Sequence, residues 1–149
     1  MLEIREDIYD RLEQDTAIQG YTGYTASDSR IYLESPPEKV SLNTTTPAYI
    51  TYILTKPSAI DLSIYVEKAQ ELDIIVEVDV WANGPDVRDN IGERITHIFK
   101  DREWNTTSYR ALKTDKEAEE DIKEIHPTTG QIDIWRKYLR FKLWPVYKK

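Results

Sequence analysis

IIVEVDVWANGPDVRDNIGERITHIF, residues 74 to 99, places a strand directly before a helix. Ile74, Val76, Val78 and Val80 recur every second residue and share one strand face, while Ile75, Glu77, Asp79 and Trp81 share the other. The period then becomes helical: Val87, Ile91, Ile95, Ile98 and Phe99 fall within one arc of about 120°. Asn83-Gly84-Pro85-Asp86 reads as the helix start. Gly84 serves as N-cap, Pro85 fits the first helical position, and Asp86 and Asp89 complement the positive helix end. No catalytic constellation lies in this stretch.

Working outward, Ile4, Ile8 and Leu12 form a stripe on a helix over about residues 2 to 14, with Tyr9 beside it and Glu3, Glu6, Asp7, Asp10 and Glu13 on the rest. Residues 20 to 29 read as a loop, with two glycines among small polar residues. Arg30 to Leu33 is a short strand stopped by Pro36-Pro37. Residues 38 to 47 are a polar connection, Ala48 to Leu54 a strand of β-branched and aromatic residues, and Lys56-Pro57-Ser58 its end. Residues 59 to 71 suit helix or strand, with the alternation of Ile60, Leu62, Ile64 and Val66 favouring a strand or hairpin arm. Trp104 to Leu112 offers another strand, and Pro127 to Gly130 a turn. Residues 132 to 147 alternate once more, with Trp135, Leu139, Phe141 and Leu143 on one face and Arg136, Tyr138, Arg140 and Lys142 on the other. The expectation is an α+β fold: an antiparallel sheet with two main helices packed on one face. It forms one domain over residues 1 to 149, with a charged insertion or loop at about 113 to 130.

Composition narrows the function. A chain of 149 residues with 40% hydrophobic and 11% aromatic content folds as one domain with its own core. No cysteine is present, which excludes disulfides and thiolate zinc sites. No run of 18 apolar residues and no basic-then-apolar leader occurs, so a soluble product made inside the cell and no membrane partner are expected. Two Asn-x-Thr matches, at Asn43 and Asn105, then carry no weight as glycosylation sites. Net charge is −7 and unevenly spread: residues 1 to 100 hold 9 basic and 18 acidic side chains, residues 101 to 149 hold 11 and 9. Such a chain suits DNA that passes by rather than DNA that is gripped, because duplex affinity rests on neutralised phosphates. Ten tyrosines and four tryptophans fit protein interfaces or an ordinary core and sheet surface equally.

Candidate chemistry is sparse. Glu77 and Asp79 project from one strand face about 6.8 Å apart, a spacing open to acid-base work or a metal. The solvent side of a half-buried strand explains them better. His97 lies opposite the apolar arc of its helix, one turn after Glu93, and reads as a surface residue. His126 precedes Pro127 with no motif around it. No phosphate loop, nucleophile elbow or zinc-protease motif is present. No catalytic residue, metal site or cofactor is therefore assigned.

The ordered segments resemble the tail terminator, or tail completion, proteins of long-tailed bacteriophages. The resemblance rests on the helix Ile4-Arg5-Glu6-Asp7-Ile8-Tyr9-Asp10-Arg11-Leu12, then Arg30-Ile31-Tyr32, then Pro47-Ala48-Tyr49-Ile50-Thr51-Tyr52, then Val78-Asp79-Val80-Trp81-Ala82. It covers about residues 3 to 100, and the acidic stretch near 115 to 124 departs from the family's usual short connection. The resemblance implies a structural, non-enzymatic virion protein at the head-proximal end of the tail, made in the host cytoplasm. Such proteins act as rings, commonly homohexamers, whose partners are the tail tube protein and a head-completion or connector protein, with DNA passing through the lumen. Another head-tail connector component, a head completion or stopper protein, stays open as an alternative. So does a small α+β enzyme or ligand-binding domain, which needs a pocket joining His97 to Glu77 and Asp79.

A closed ring needs one patch to meet a different patch on its neighbour. Arg136, Arg140 and Lys142 place like charges on one face of the last strand, unfavourable unless solvated or met by acids. The basic face of this strand, in a segment where Trp135, Tyr138 and Trp144 are interleaved along the chain, could also bind phosphate, but a subunit contact is preferred. Asp7 and Asp10 of the next subunit are the expected acids. Asp115, Glu117, Glu119, Glu120 and Asp121 are expected on a mobile loop facing the lumen, where they would repel DNA. As a solvated face they would need no such role.

Overall fold

The alternation at 74–80 becomes strand β4, Gln70–Ala82, in the computed structural model, which describes residues 2–36, 42–55, 59–61, 70–100, 102–125 and 132–148. Around β4 lie helices α1 (Leu2–Gln14), α2 (Thr16–Thr22) and α3 (Pro85–Phe99), and strands β1 (Ile31–Leu33), β2 (Ala48–Thr55), β3 (Ala59–Asp61), β5 (Trp104–Asn105), β6 (Tyr109–Ile125) and β7 (Ile132–Lys148). The sheet runs β1-β2-β4-β7-β6-β5, with β3 pairing the other half of the β4 edge that β2 occupies. The fold is α+β.

Both expected helices are present, and their faces are as the periods indicate. Ile4, Ile8 and Leu12 of α1 and Ile91, Ile95 and Phe99 of α3 are wholly buried against Val76, Val78, Val80, Leu139, Phe141 and Leu143. Phe99 and Phe141 stack with centroids 4.5 Å apart. Gly84 is the N-cap of α3 in extended conformation, followed by Pro85 at the helix start.

Three features differ from the sequence reading. The sheet is mixed, because β1 runs parallel to β2. The connection 34–47 supplies the dozen or so residues that a parallel return requires. Secondly, residues 20 to 22 close a third helix, α2, instead of opening a loop. Asp15 accepts a bond from the Ile18 N–H at 3.0 Å as N-cap, and Gly23 turns the chain out at φ 76°. These two caps outweigh the poor propensities of Thr16, Gly20 and Thr22. A side chain at Gly23 would also collide with the Thr45 carbonyl.

The third difference is the largest: residues 113 to 125 are not a loop. They belong to β6, paired along its length with β7 through Asp115↔Lys142, Asp121↔Lys137 and Ile122↔Arg136. A carboxylate-rich segment is a poor strand by itself, but opposite charges across a pair stabilise one. The turn expected at Pro127 to Gly130, and the stretch 62–69, lie outside the described residues.

Candidate subunit and partner interface

β7 lies between β4 and β6, and its side chains alternate between two environments. On the face away from the helices, Arg136 Nε donates to Asp79 at 2.8 Å and its Nη1 lies 3.8 Å from Glu124. Arg140 meets Glu117 at 3.0 Å and Glu77 at 3.9 Å. Lys142 reaches Asp73 at 3.4 Å. The basic strand is thus flanked on both sides by acids of its own chain. Arg136 sits above its ordinary value, held up first by the bond to Asp79, with burial opposing.

Arg136, Arg140 and Lys142 therefore share one face, as expected, but the acids that meet them are in the same sheet. Asp7 and Asp10 lie on the other side of the molecule, on α1. Asp7 is paired with Arg11 at 3.1 Å, and Asp10 is exposed in a shallow groove shared with Glu6 and Thr107. Of the expected acidic loop residues, Asp115 pairs Lys113, Glu117 pairs Arg140, Glu119 pairs Lys116 and Lys137, and Asp121 pairs Lys137 and Arg88. Among the described residues, Glu120 alone of these five has no cation within pairing distance. The run is a largely neutralised strand.

Glu77 accepts the Tyr138 hydroxyl at 2.9 Å, and Asp79 is taken by Arg136. His97 lies on α3, on the opposite side of the sheet, exposed beside Arg94. The three do not share a pocket. Among the described residues no group of three or more His, Cys, Asp or Glu is arranged to hold a metal, and no helix is long and apolar enough to cross a membrane.

On the helix-covered face, Lys137 is a buried cation that periodicity missed. Its ammonium lies 2.9 Å from Asp121, 3.3 Å from Asp89 and 3.4 Å from Glu119. Burial pushes it down, but Asp121 and the other acids outweigh this and raise it. The carboxyls respond in kind: Asp89 is lowered, first by its bond from Arg88, and Glu119 first by Lys116. This cluster ties the first half of α3 to β6 and β7. The clue in the sequence was Gly92, where any Cβ would collide with the Lys137 stem.

The aromatics serve the outer sheet surface and the core. Tyr49 stacks on Trp81 at 5.8 Å and 10°, and the Arg136 guanidinium lies 4.4 Å from the Trp81 ring centre. Arg30, in the left-handed region at φ 63°, sends its side chain back to the Ala48 carbonyl at 3.2 Å and so clips β1 to β2.

This architecture is found in a virion. The chain is similar to a chain of the virion of a native gene transfer agent (GTA) particle, with a TM-score of 0.66 over 95% of this chain and 92% of that one. The fold is shared. At 12% sequence identity the likeness extends to the fold and no further. No family model matches the chain, and no curated protein matches it.

Proposed function

We propose that this chain is a structural virion protein that caps a phage tail tube as a ring and joins the tail to the head. The observation that carries the reading is the fold likeness, spanning nearly the whole of both chains, to a protein of a gene transfer agent virion. The ordered segments that resemble tail terminators, residues 3 to 100, support the finer assignment within that class. The ring is read as a homohexamer, held by heterologous contacts. Its partners are the tail tube protein on one side and a head-completion or connector protein on the other, with DNA passing through the lumen. Assembly by complementary surfaces is the mechanism; turnover and cofactors play no part in it.

Labelling purified virions with gold-tagged antibody against this chain tests the assignment. Label confined to the junction of head and tail supports it. Label distributed along the tail, over the head, or absent from the particle contradicts it.

A further inference from the structure

α1 and α3 end beside one another, and between them lies a pocket of about 290 Å³ lined chiefly by Arg11, Gln14, Asp15, Arg94, His97 and Arg102. In a chain of net charge −7, three guanidiniums converge here on one lining carboxylate. Two of them have partners. Arg11 is bonded to Asp7, and Arg94 clamps Asp15 through Nε and Nη2 at 3.0 and 2.7 Å.

Arg102 is different. Its Nε donates to the Ile98 carbonyl at 2.8 Å, and among the described residues no carboxylate lies within pairing distance of it. Its guanidinium carbon is 5.8 Å from the Trp104 ring centre, and that of Arg11 is 5.2 Å from the same ring. Burial pushes the Arg102 charge down, the neighbouring Arg11 pushes it further, and only Asp7 opposes them. Two cations share one indole, and among the described residues one of them has no carboxylate within pairing distance. The group that completes such a pocket is an anion.

The surroundings select its kind. Asp15 lines the pocket, Asp7 lies behind Arg11, and both helices present their negative C-terminal ends to it. A phosphate dianion meets more of this repulsion than a singly charged carboxylate, whose two oxygens also match a guanidinium fork. On the opposite side of the molecule, Glu120 lies across from Tyr138 on the outer sheet face, its neighbours paired and itself unpaired among the described residues. A pocket on the helix side and a carboxylate on the sheet side cannot meet within one chain. Between copies they meet head to tail, which is the geometry a ring needs.

We propose that the pocket of Arg11, Arg94, His97 and Arg102 takes a carboxylate side chain of a second copy of the chain, supplied by Glu120. This rests on the ring reading above. Two measurements separate its failure from the failure of that reading.

In the first, the Arg102 guanidinium resonances of the full chain are followed by NMR as N-acetylglutamate is added, with inorganic phosphate at matched ionic strength as comparison. A saturable shift with N-acetylglutamate that His97→Glu removes supports the site. No shift, or an equal or larger response to phosphate, overturns it whether or not rings form. In the second, sedimentation and electron microscopy, with and without tail tubes, compare the parent with His97→Glu, Glu120→Gln, Arg102→Glu and the Arg102→Glu, Glu120→Arg swap, each checked for parental circular dichroism. Self-association weakened about tenfold or more in the single variants, and regained in the swap, supports the contact. Rings formed as readily by His97→Glu and Glu120→Gln as by the parent overturn the contact and leave the ring standing. A parent that forms no ring with or without tubes overturns both.

Discussion

Lys137 shows how much one side chain holds together. It is 9% exposed, while its three carboxylate partners are 53%, 42% and 48% exposed, so breaking the cluster should cost less than a fully buried pair. Lys137→Met is expected to destabilise by about 1–2 kcal/mol in a denaturant titration. Gly92→Ala gives a sharper test of sign. In an exposed helix it would stabilise by about 1 kcal/mol; here the new Cβ displaces the Lys137 stem, so the melting temperature should fall. The pH dependence follows from the same groups. Asp89 and Glu119 are lowered; burial pushes Asp15 up, but its bonds from Arg94 and Ile18 together outweigh this and lower it. Their contributions are present at neutral pH and disappear as pH falls through the folded values, below the ordinary carboxylate range. Lys137 is raised above 10.5, so its contribution is full below that value and lost as pH rises beyond the folded one. Stability should be level between roughly pH 5 and 10 and fall on either side. In calorimetry the acid limb should be shallower for Lys137→Met than for the parent.

Elements whose faces follow a simple period were legible in the sequence. Val78 and Ile95 are both wholly buried, as the periods of 2 and 3.6 require. Asp at either position is expected to cost at least ~3 kcal/mol in chemical denaturation; a loss of under 1 kcal/mol would mean the faces are misassigned. α2 was missed because its two caps, Asp15 and Gly23, outweigh propensity over only seven residues. β6 was missed for a different reason: its stability comes from β7, and charge composition seen along one strand does not show its partner across the sheet. A signal existed, since acids at 115 to 124 and bases at 136 to 142 flank a Pro-Thr-Thr-Gly turn motif almost symmetrically. The consequence reaches the candidate site. Arg136→Glu with Arg140→Glu would set like charges against Asp79, Glu124, Glu117 and Glu77. The protein should therefore lose stability as a monomer, visible by circular dichroism before any assembly is measured. The basic half of the expected contact was legible as a surface, but its acids are β4 and β6 of the same chain.

For the whole molecule, the sheet sets two different sides facing outward: helices with a cationic pocket on one, and on the other an ion-paired strand ladder in which Glu120 is unpaired among the described residues. In the proposed contact these two sides meet head to tail, an arrangement that closes into a ring if the rotation allows. What periodicity could not supply was this division of charge between sides, because it depends on which strands become neighbours. The most direct measurement is electron microscopy of tail tubes mixed with the purified protein. Density added at one end of each tube, with six-fold symmetry in end views, is the expected result. Tubes whose ends are unchanged, or protein bound along their length, would contradict the account.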